Sequence, residues 1–535
     1  MQGTENLKNA TAGTIVTLYE EHDAKMGAVE YFARLSDYGR KKDSILLESA
    51  DIITKYGEKS IGSASPCLKA IGRGRKFEIA ALNETGKKFL LHVKPKLLFA
   101  RKLKISENQI SGEIRKMGAM MSESQKLRDG KTAMDVLRAI AFALKPLNSP
   151  FPVSAGLMGT IAYDFIDQFE DLPANKKDVL KEPDFEMNFY DNLFLLDHKK
   201  GKIIFIANAL IFAEEDKEKE MQRCQSVLDG YEAALSANMP LRRHGELGKI
   251  KVQTDTSKKE FVKVVKKLKK NVLAGDIFQV VPSRTMIAKY NAEPLDIYSS
   301  LKQLNPSPYM FYFNNSAGIL LGSSPETFIK VEGEGRKIVE IRPIAGTKPR
   351  GLNARGEIDT ELDRKYEDEL KIDRKELAEH TMLIDLARND VARVCEPGTR
   401  ACEKQFMVEK YSHVQHLVSS VTGTLRAEYD ALHAYLASMN MGTLTGAPKV
   451  EAMKLLRLNE KTRRGFYGGS IGYLMPTGDF DSAIVIRSMS LQKGKAYIRA
   501  GAGIVYDSNP EQEFLETERK ARACLKAIEL AEGNK

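Results

Sequence analysis

Residues 376–390 read ELAEHTMLIDLARND. Glu376 and Glu379 stand three positions apart, and Leu370, Leu377 and Ile384 recur every seven residues. The pattern predicts a helix over 370–387 with an acidic face beside a buried stripe. A second pair, Glu513 and Glu516, repeats the spacing within a helix predicted over 511–532. Four carboxylates brought together need a hard cation. Mg2+ suits them, because it takes a few carboxylates and keeps waters that an anionic substrate can replace. Spacing alone favours a plainer reading, that both pairs are solvated helix faces, and the rest of the sequence shifts that balance.

The chain has 535 residues, enough for two or more cores. With 42% hydrophobic and 29% charged residues, its composition is that of a soluble globular protein. No apolar run approaches the roughly 18 residues that span a membrane. The N-terminus, MQGTENLKNATAGT, carries no secretory signal. Cys67, Cys224, Cys395, Cys402 and Cys524 form no CxxC pair, which fits a reducing compartment, by default the cytoplasm. The net charge of +10 raises the question of nucleic acid. Its densest source, SKKEFVKVVKKLKK at 257–270, reads as an amphipathic helix opened by a capping box of Ser257 and Glu260. No aromatic residue interleaves with these lysines, so a solvated face is expected and no nucleic-acid partner.

A seam near 239–248, MPLRRHGELG, divides the chain into an N-terminal domain, 1–245, and a catalytic domain, 250–530. Strands are expected over 88–93 and 203–207 in the first, and over 277–281, 318–322, 337–341 and 483–486 in the second. Helices are expected over 257–273, 370–387, 448–456 and 511–532. Strands and long helices without steady βαβ alternation argue for an α+β fold over a doubly wound sheet.

Two nucleotide-type motifs fail. Gly130-Lys131-Thr132 imitates the end of a P-loop, but Gln125 stands where the first glycine belongs. Gly501-Ala502-Gly503 begins like a dinucleotide fingerprint, but Tyr506 replaces the third glycine. Eight histidines without metal-type pairing argue against zinc. Other stretches have the composition of a binding cleft. In IRPIAGTKPR (341–350), Gly346 and Thr347 offer N–H and hydroxyl donors to an anion. In GTLTGAPK (442–449), Thr445 is either a helix cap or a ligand contact. GAGIV (501–505) is a glycine turn or bare backbone against a carboxylate, and His416 is a core histidine or a catalyst.

These stretches, together with SPETF (324–328), FYGGSIGY (466–473), AIVIRS (483–488) and ETERKA (516–521), occur in an order that resembles the chorismate-binding enzyme family. That family includes anthranilate, aminodeoxychorismate, isochorismate and salicylate synthases. The resemblance runs from Asp255 to Ala527. It implies the chorismate-utilising fold, with layered antiparallel β-sheets in a β-sandwich-like core flanked by helices. It also implies roles. Glu379 and Glu516 would be direct Mg2+ ligands, with Glu376 and Glu513 in or near the coordination shell. Gly346, Thr347, Tyr467, Arg487, Gly501, Ala502 and Gly503 would hold chorismate, Arg487 gripping its enolpyruvyl carboxylate. Glu326 would be the general acid at the C4 hydroxyl, which requires a raised pKa. His416 would handle protons during pyruvate loss. Thr445 and Lys520 complete the catalytic set, Lys520 neutralising charge near the metal.

Two positions separate the branches of the family. Isochorismate and salicylate synthases carry a lysine base in the strand occupied here by Phe278, Gln279, Val280 and Val281, and Gln279 cannot deprotonate water. Aminodeoxychorismate synthases typically carry a nucleophilic lysine in PIKGT, where this chain has Ala345. The resemblance therefore implies direct attack of ammonia on chorismate to give anthranilate and pyruvate, the entry to tryptophan synthesis, with aminodeoxychorismate formation as the alternative. Leu47, Glu48 and Ser49, in LLES, and Pro308, Tyr309 and Met310, in NPSPYM, resemble the two walls of an L-tryptophan feedback site. No cysteine sits in an amidotransferase nucleophile turn. A separate glutamine amidotransferase subunit is therefore expected to supply ammonia, in a heterotetramer of two of each chain.

Overall fold

The computed structural model describes residues 1–49, 59–117, 121–213, 217–236, 248–353, 357–411 and 414–533. Two large sheets dominate, one of 12 strands and one of 13. The named pairings within them are antiparallel, apart from the parallel pairing of Thr14–Asp23 with Lys145–Leu147.

Alternation along the strands explains how the sheets stack. Leu193 and Leu195, Ile204 and Ile206, and Phe311 and Phe313 point to one face of the 12-stranded sheet. There they meet Met158, Ile471 and Ala483 of the other sheet in one buried cluster. The intervening residues, including Phe194, Phe205 and Tyr312, point outward beneath the helices Ala28–Leu35, Lys217–Leu235, Pro294–Leu304 and Pro510–Glu532. The 13-stranded sheet is covered likewise by Glu84–Val93, Met134–Ala141, Arg374–Ala392 and Ala431–Ser438. The result is an α/β/β/α sandwich, the expected layered arrangement.

The sheets do not respect the seam. Ile45–Glu48 pairs with Tyr309–Asn314, and Gly156–Ile161 pairs with Ser470–Leu474. Segments 1–245 and 250–530 therefore build both sheets jointly, instead of each closing a core of its own. Most of the seam, 239–247, lies outside the described residues.

Local expectations hold in part. The lysine-rich helix spans Lys258–Ala274 behind its Ser257–Glu260 capping box, and the C-terminal helix spans Pro510–Glu532. Residues 88–93 are not a strand. They close the helix Glu84–Val93, where Asn83 caps the Gly86 N–H and Phe89, Leu90 and Val93 share the buried side. The helix predicted over 370–387 is two helices, Thr360–Ile372 and Arg374–Ala392, because Asp373 caps the second by accepting from Lys375 N and Glu376 N. Leu370 thus belongs to the first helix, and the seven-residue stripe is interrupted.

One buried ionic cluster ties the layers together beneath the site. Glu460 accepts from Arg464 Nη2 at 2.7 Å, Arg499 Nη2 at 2.9 Å, and the Ser283 N–H and hydroxyl. Arg464 also donates to Leu444 O and Val281 O, both at 2.7 Å. Burial pushes the Glu460 carboxyl up, but the two guanidinium groups outweigh it and hold it down at about 2. Replacing Glu460 by alanine would leave two cations buried together, and is expected to cost about 3–5 kcal/mol in urea unfolding at pH 7. Because the folded pKa is depressed, the ionised carboxylate's contribution is present above about pH 4, the unfolded value, and fades as pH falls towards 2. The stability of parent and variant should therefore converge in acid.

Candidate functional site

The candidate residues lie on separate elements, and contacts link them into a ring. In the strand Ile344–Pro349 the register slips between Ala345 and Thr347, so that Thr347 pairs opposite His416. The slip centres on Gly346, whose φ of +65° favours glycine. A Cβ there would stand 2.7 Å from Leu370 and 3.1 Å from Glu376 Oε2, so the strand backbone lies directly against the acidic helix Arg374–Ala392. His416 Nδ1 lies 3.0 Å from Thr347 Oγ1 and 3.2 Å from Gly346 O. Its burial pulls the imidazole down to about 4, and Arg487 adds to that pull, so His416 is neutral at pH 7.

Arg487 follows the strand Phe480–Ile484, which ends two residues short of the expected 486. The chain turns there, and Arg487 takes a φ of +49°. Burial lowers its pKa, partly offset by Cys524, Glu516 and Tyr467, which marks these groups as its neighbours. No hydrogen bond to its guanidinium occurs among the described residues, so its donors are available to a ligand. Glu516 lies 3.6 Å from Lys520, one turn on, and Lys520 donates to Gly501 O at 3.2 Å. A Cβ on Gly501 would meet the Tyr467 hydroxyl at 3.2 Å. A Cβ on Gly503 would meet Gln279 Nε2 at 2.9 Å and Glu379 Oε1 at 3.7 Å, which closes the ring back onto the acidic helix. Ala502, between them, is buried and anchored through its N–H to Pro282 O.

The four glutamates flank this turn from two helices. Burial and then Glu379 raise Glu376, and burial also raises Glu513, against the pull of Lys375. Burial likewise pushes Glu516 up, but Lys520, Arg519 and Arg487 outweigh it and hold it below its ordinary value. Among the described residues, no three of these carboxylates bring ligand atoms within 4.8 Å of one another. The expected convergence of four carboxylates is therefore not present in this arrangement, although the hard oxygen donors are of the type that Mg2+ takes together with water and an anionic ligand.

Glu326 is fully buried, and its Oε1 has no hydrogen-bond partner. Burial drives the carboxyl up to about 8, against weaker opposing effects of Thr443 and Lys520. The Thr443 hydroxyl is itself buried and faces the Glu326 carboxyl, its one weak partner among the described residues. Thr445, the threonine singled out from the sequence, instead sits 3.3 Å from the Tyr163 hydroxyl, and its carbonyl accepts from Val281 N. Two other contributions, a contact of Gln279 and the Glu460 cluster, were not read from the sequence. Gln279 donates to Glu379 Oε1 at 2.8 Å, orienting a prospective ligand, and the Glu460 cluster anchors the strand that carries Gln279. The position of Thr443 in the same motif as Thr445 was the only available signal for it.

The remaining candidates assemble elsewhere. Leu47 pairs with Phe311 and Glu48 with Met310, so the LLES and NPSPYM segments are direct neighbours. Glu48 is buried, accepting from Tyr298 Oη at 2.5 Å and Lys302 Nζ at 2.6 Å. The Ser49 hydroxyl is buried and has no hydrogen-bond partner among the described residues. Pro308 is buried, and the Tyr309 hydroxyl lies 3.0 Å from Thr327 Oγ1, the residue after Glu326.

Residues 95–526 match the model of a family described as chorismate binding enzyme, starting well upstream of residue 255. The component 1 of anthranilate synthase from Haemophilus influenzae is 41% identical over 498 residues, covering 91% of this chain and 92% of that protein. The crystal structure of anthranilate synthase component I from Streptococcus pneumoniae matches with a TM-score of 0.67 at 29% identity, over 87% of this chain and 92% of that one. The menaquinone-specific isochorismate synthase of Escherichia coli matches in fold, with a TM-score of 0.63 at 16% identity, over 98% and 99%.

Because its folded pKa is raised, ionising Glu326 opposes folding. Stability falls as pH rises from about 4.5, the unfolded value, towards 8. Glu326→Gln removes that cost, so the variant should melt above the parent at pH 8 and match it at pH 5 in thermal unfolding.

Proposed function

Because the chain belongs to the chorismate-binding enzyme family, we propose that it converts chorismate and ammonia to anthranilate and pyruvate, as the chorismate-using component of an anthranilate synthase. The observation that carries this reading is the proton held on Glu326 beside Lys520, in a site where Gln279 and Ala345 stand in place of lysines. An acid is available for a leaving hydroxyl, while neither position that carries the lysine base or nucleophile in the other branches holds a lysine here.

On this reading the ring and enolpyruvyl carboxylates of chorismate enter between the two acidic helices. Arg487 pairs with the enolpyruvyl carboxylate, and the backbone and hydroxyls of Gly346, Thr347, Gly501, Gly503 and Tyr467 surround the rest, with Ala502 held back against Pro282 O. When bound by Glu379 and Glu516, with Glu376 and Glu513 near, Mg2+ supplies the positive charge that lets a ring carboxylate approach so many acids. Ammonia forms a bond to C2 as the C4–oxygen bond breaks, and Glu326 gives its proton so that water leaves. Loss of the C2 proton and cleavage of the enolpyruvyl ether then yield the aromatic ring and pyruvate. His416, neutral and beside Thr347, is assigned to that proton handling. Lys520 restrains charge around Glu516. Thr445 supports the loop that carries Thr443. The five free thiols are in keeping with a reducing cytoplasm. Ammonia is proposed to come from a separate glutamine amidotransferase subunit in a heterotetramer of two of each chain.

Purified protein given chorismate, Mg2+ and ammonium should form fluorescent anthranilate, and chelation by EDTA should abolish it reversibly. Accumulation of aminodeoxychorismate alone would assign the chain to the alternative branch. Glu379→Gln and Glu516→Gln should each lower turnover by roughly 100-fold or more without unfolding the protein, since changes one shell further out already cost 10–100-fold. Near-normal turnover of either variant at limiting Mg2+ would remove that residue from the ligand set.

The paired segments Leu47–Ser49 and Pro308–Met310 are proposed to bind L-tryptophan as a feedback inhibitor. Ser49→Ala should raise the tryptophan concentration needed for half inhibition by roughly tenfold, the value of a hydrogen bond to a charged group. Its turnover without tryptophan should be unchanged.

A further inference from the structure

The loop that brings Thr443 to Glu326 is held at its base by one buried ion pair. Lys449, just past the loop, donates from Nζ to Ser438 O at 2.8 Å, and Ser438 closes the helix Ala431–Ser438 just before it. That bond staples the two ends of the segment 439–448 together. The same Nζ donates to Asp390 Oδ2 at 2.6 Å, near the end of the helix Arg374–Ala392. Arg393, which caps that helix, donates from Nη1 to Ala437 O at 2.7 Å. A Cβ on Gly442 would stand 2.6 Å from Leu386 Cδ1, one helical turn before Asp390. The segment is thus seated on the last two turns of the helix whose first two turns carry Glu376 and Glu379. Its far side is tied in as well: Gly446 and Ala447 pair with Val280 and Gln279, and Gln279 donates to Glu379.

A pair placed this way is a poor source of stability. The Lys449 and Asp390 side chains are 12% and 8% exposed. Burial pulls the lysine down and pushes the carboxyl up, so each loses hydration that the other only partly restores. What the pair supplies is a fixed separation, because charge-assisted bonds to Asp390 and Ser438 O hold the ammonium in one place. We propose that Lys449 and Asp390 are positioning residues, a strut that keeps the 442–447 loop shut over Glu326 and so keeps water from its carboxyl. Neither touches the reacting atoms. They act through Thr443, whose hydroxyl faces Glu326. The proposal deepens the reaction assigned above, in which Glu326 gives the proton.

The test removes both charges at once, Lys449→Met with Asp390→Leu, so that neither is left buried and alone; replacements of that kind are often neutral for folding. Asp390→Asn, which keeps an acceptor for Lys449 without the charge, is the milder variant. Each is made in the full chain, with and without Glu326→Gln. With the strut gone, water reaches Glu326 and its pKa moves from about 8 back towards 4.5. The alkaline limb of ammonium-driven anthranilate formation should then fall by about one pH unit or more. The kcat should drop roughly tenfold, part of what a positioned acid contributes, with KM for chorismate within about threefold of the parent. The gain in melting temperature that Glu326→Gln gives at pH 8 should vanish in the double variant. Lys520, the charged group felt by Glu326, is unchanged throughout, so these shifts report on the loop. Asp390→Asn should move each reading the same way by a smaller amount. An alkaline limb and a Glu326→Gln gain that keep their parent values in both variants would overturn the proposal. So would a double variant that does not fold beside a parent-like Asp390→Asn, since the pair would then only hold the fold. The melting comparison needs no turnover. A parent that forms no anthranilate from ammonium would therefore sink the assigned reaction, and the strut would still be judged by melting.

Discussion

Glu326 occupies a place where its charged form has little to sustain it. One carboxyl oxygen has no hydrogen-bond partner, and the neighbouring Thr443 hydroxyl and Lys520 ammonium do not offset the loss of water. The group therefore keeps its proton to about pH 8. Much of the surrounding architecture serves to maintain that condition. The two sheets exclude solvent behind it, the 442–447 loop brings Thr443 over it, and the Pro510–Glu532 helix holds Lys520 close without pairing it to Glu326. Lys520 instead spends its hydrogen bond on Gly501 O.

Glu460 makes the contrast instructive. It is as deeply buried, yet two guanidinium groups and two donors from Ser283 keep it ionised. Burial alone decides neither case; the count of donors does. One carboxylate is satisfied and structural, fixing the strand beneath Gln279. The other is left unsatisfied at a cost in stability, where an acid is useful. The same division runs through the arginines, since Arg464 and Arg499 are consumed by Glu460 while Arg487 has no hydrogen-bond partner among the described residues.

The grouping of the candidate residues was legible in the sequence where they lie in contiguous motifs. RPIAGTKPR held the bulge that sets Thr347 against His416, and the glycines of AGAGIV lie where backbone must approach Gln279 and Tyr467 closely. What was hidden depended on contacts across long separations. Nothing near Gln279 marks Glu379, 100 residues on, as its partner. The choice between Thr443 and Thr445 turned on which hydroxyl faces Glu326 and which faces Tyr163, and spacing cannot decide that. Residues 88–93 alternate well enough for a strand, but the Asn83 cap and the Phe89, Leu90 and Val93 face pull them into a helix. The Leu370 stripe misled because a seven-residue period survives across the Asp373 cap, although the helix does not. The expected two-domain seam failed for a related reason: strand pairing between distant segments leaves no trace in local composition.

The Tyr309 hydroxyl bridges Thr327 and Asp481, and Thr327 is joined by one peptide unit to Glu326. Tyr309 also stands in the strand whose neighbours are Glu48 and Leu47. A single side chain therefore belongs at once to the paired LLES and NPSPYM segments and to the mounting of the acid. The packed strands on either side leave little slack, so a shift of this phenol by a fraction of an ångström would be relayed as a tilt of the carboxyl. One phenol hydroxyl thus ties the strand beside Leu47 and Glu48 to the backbone that mounts Glu326.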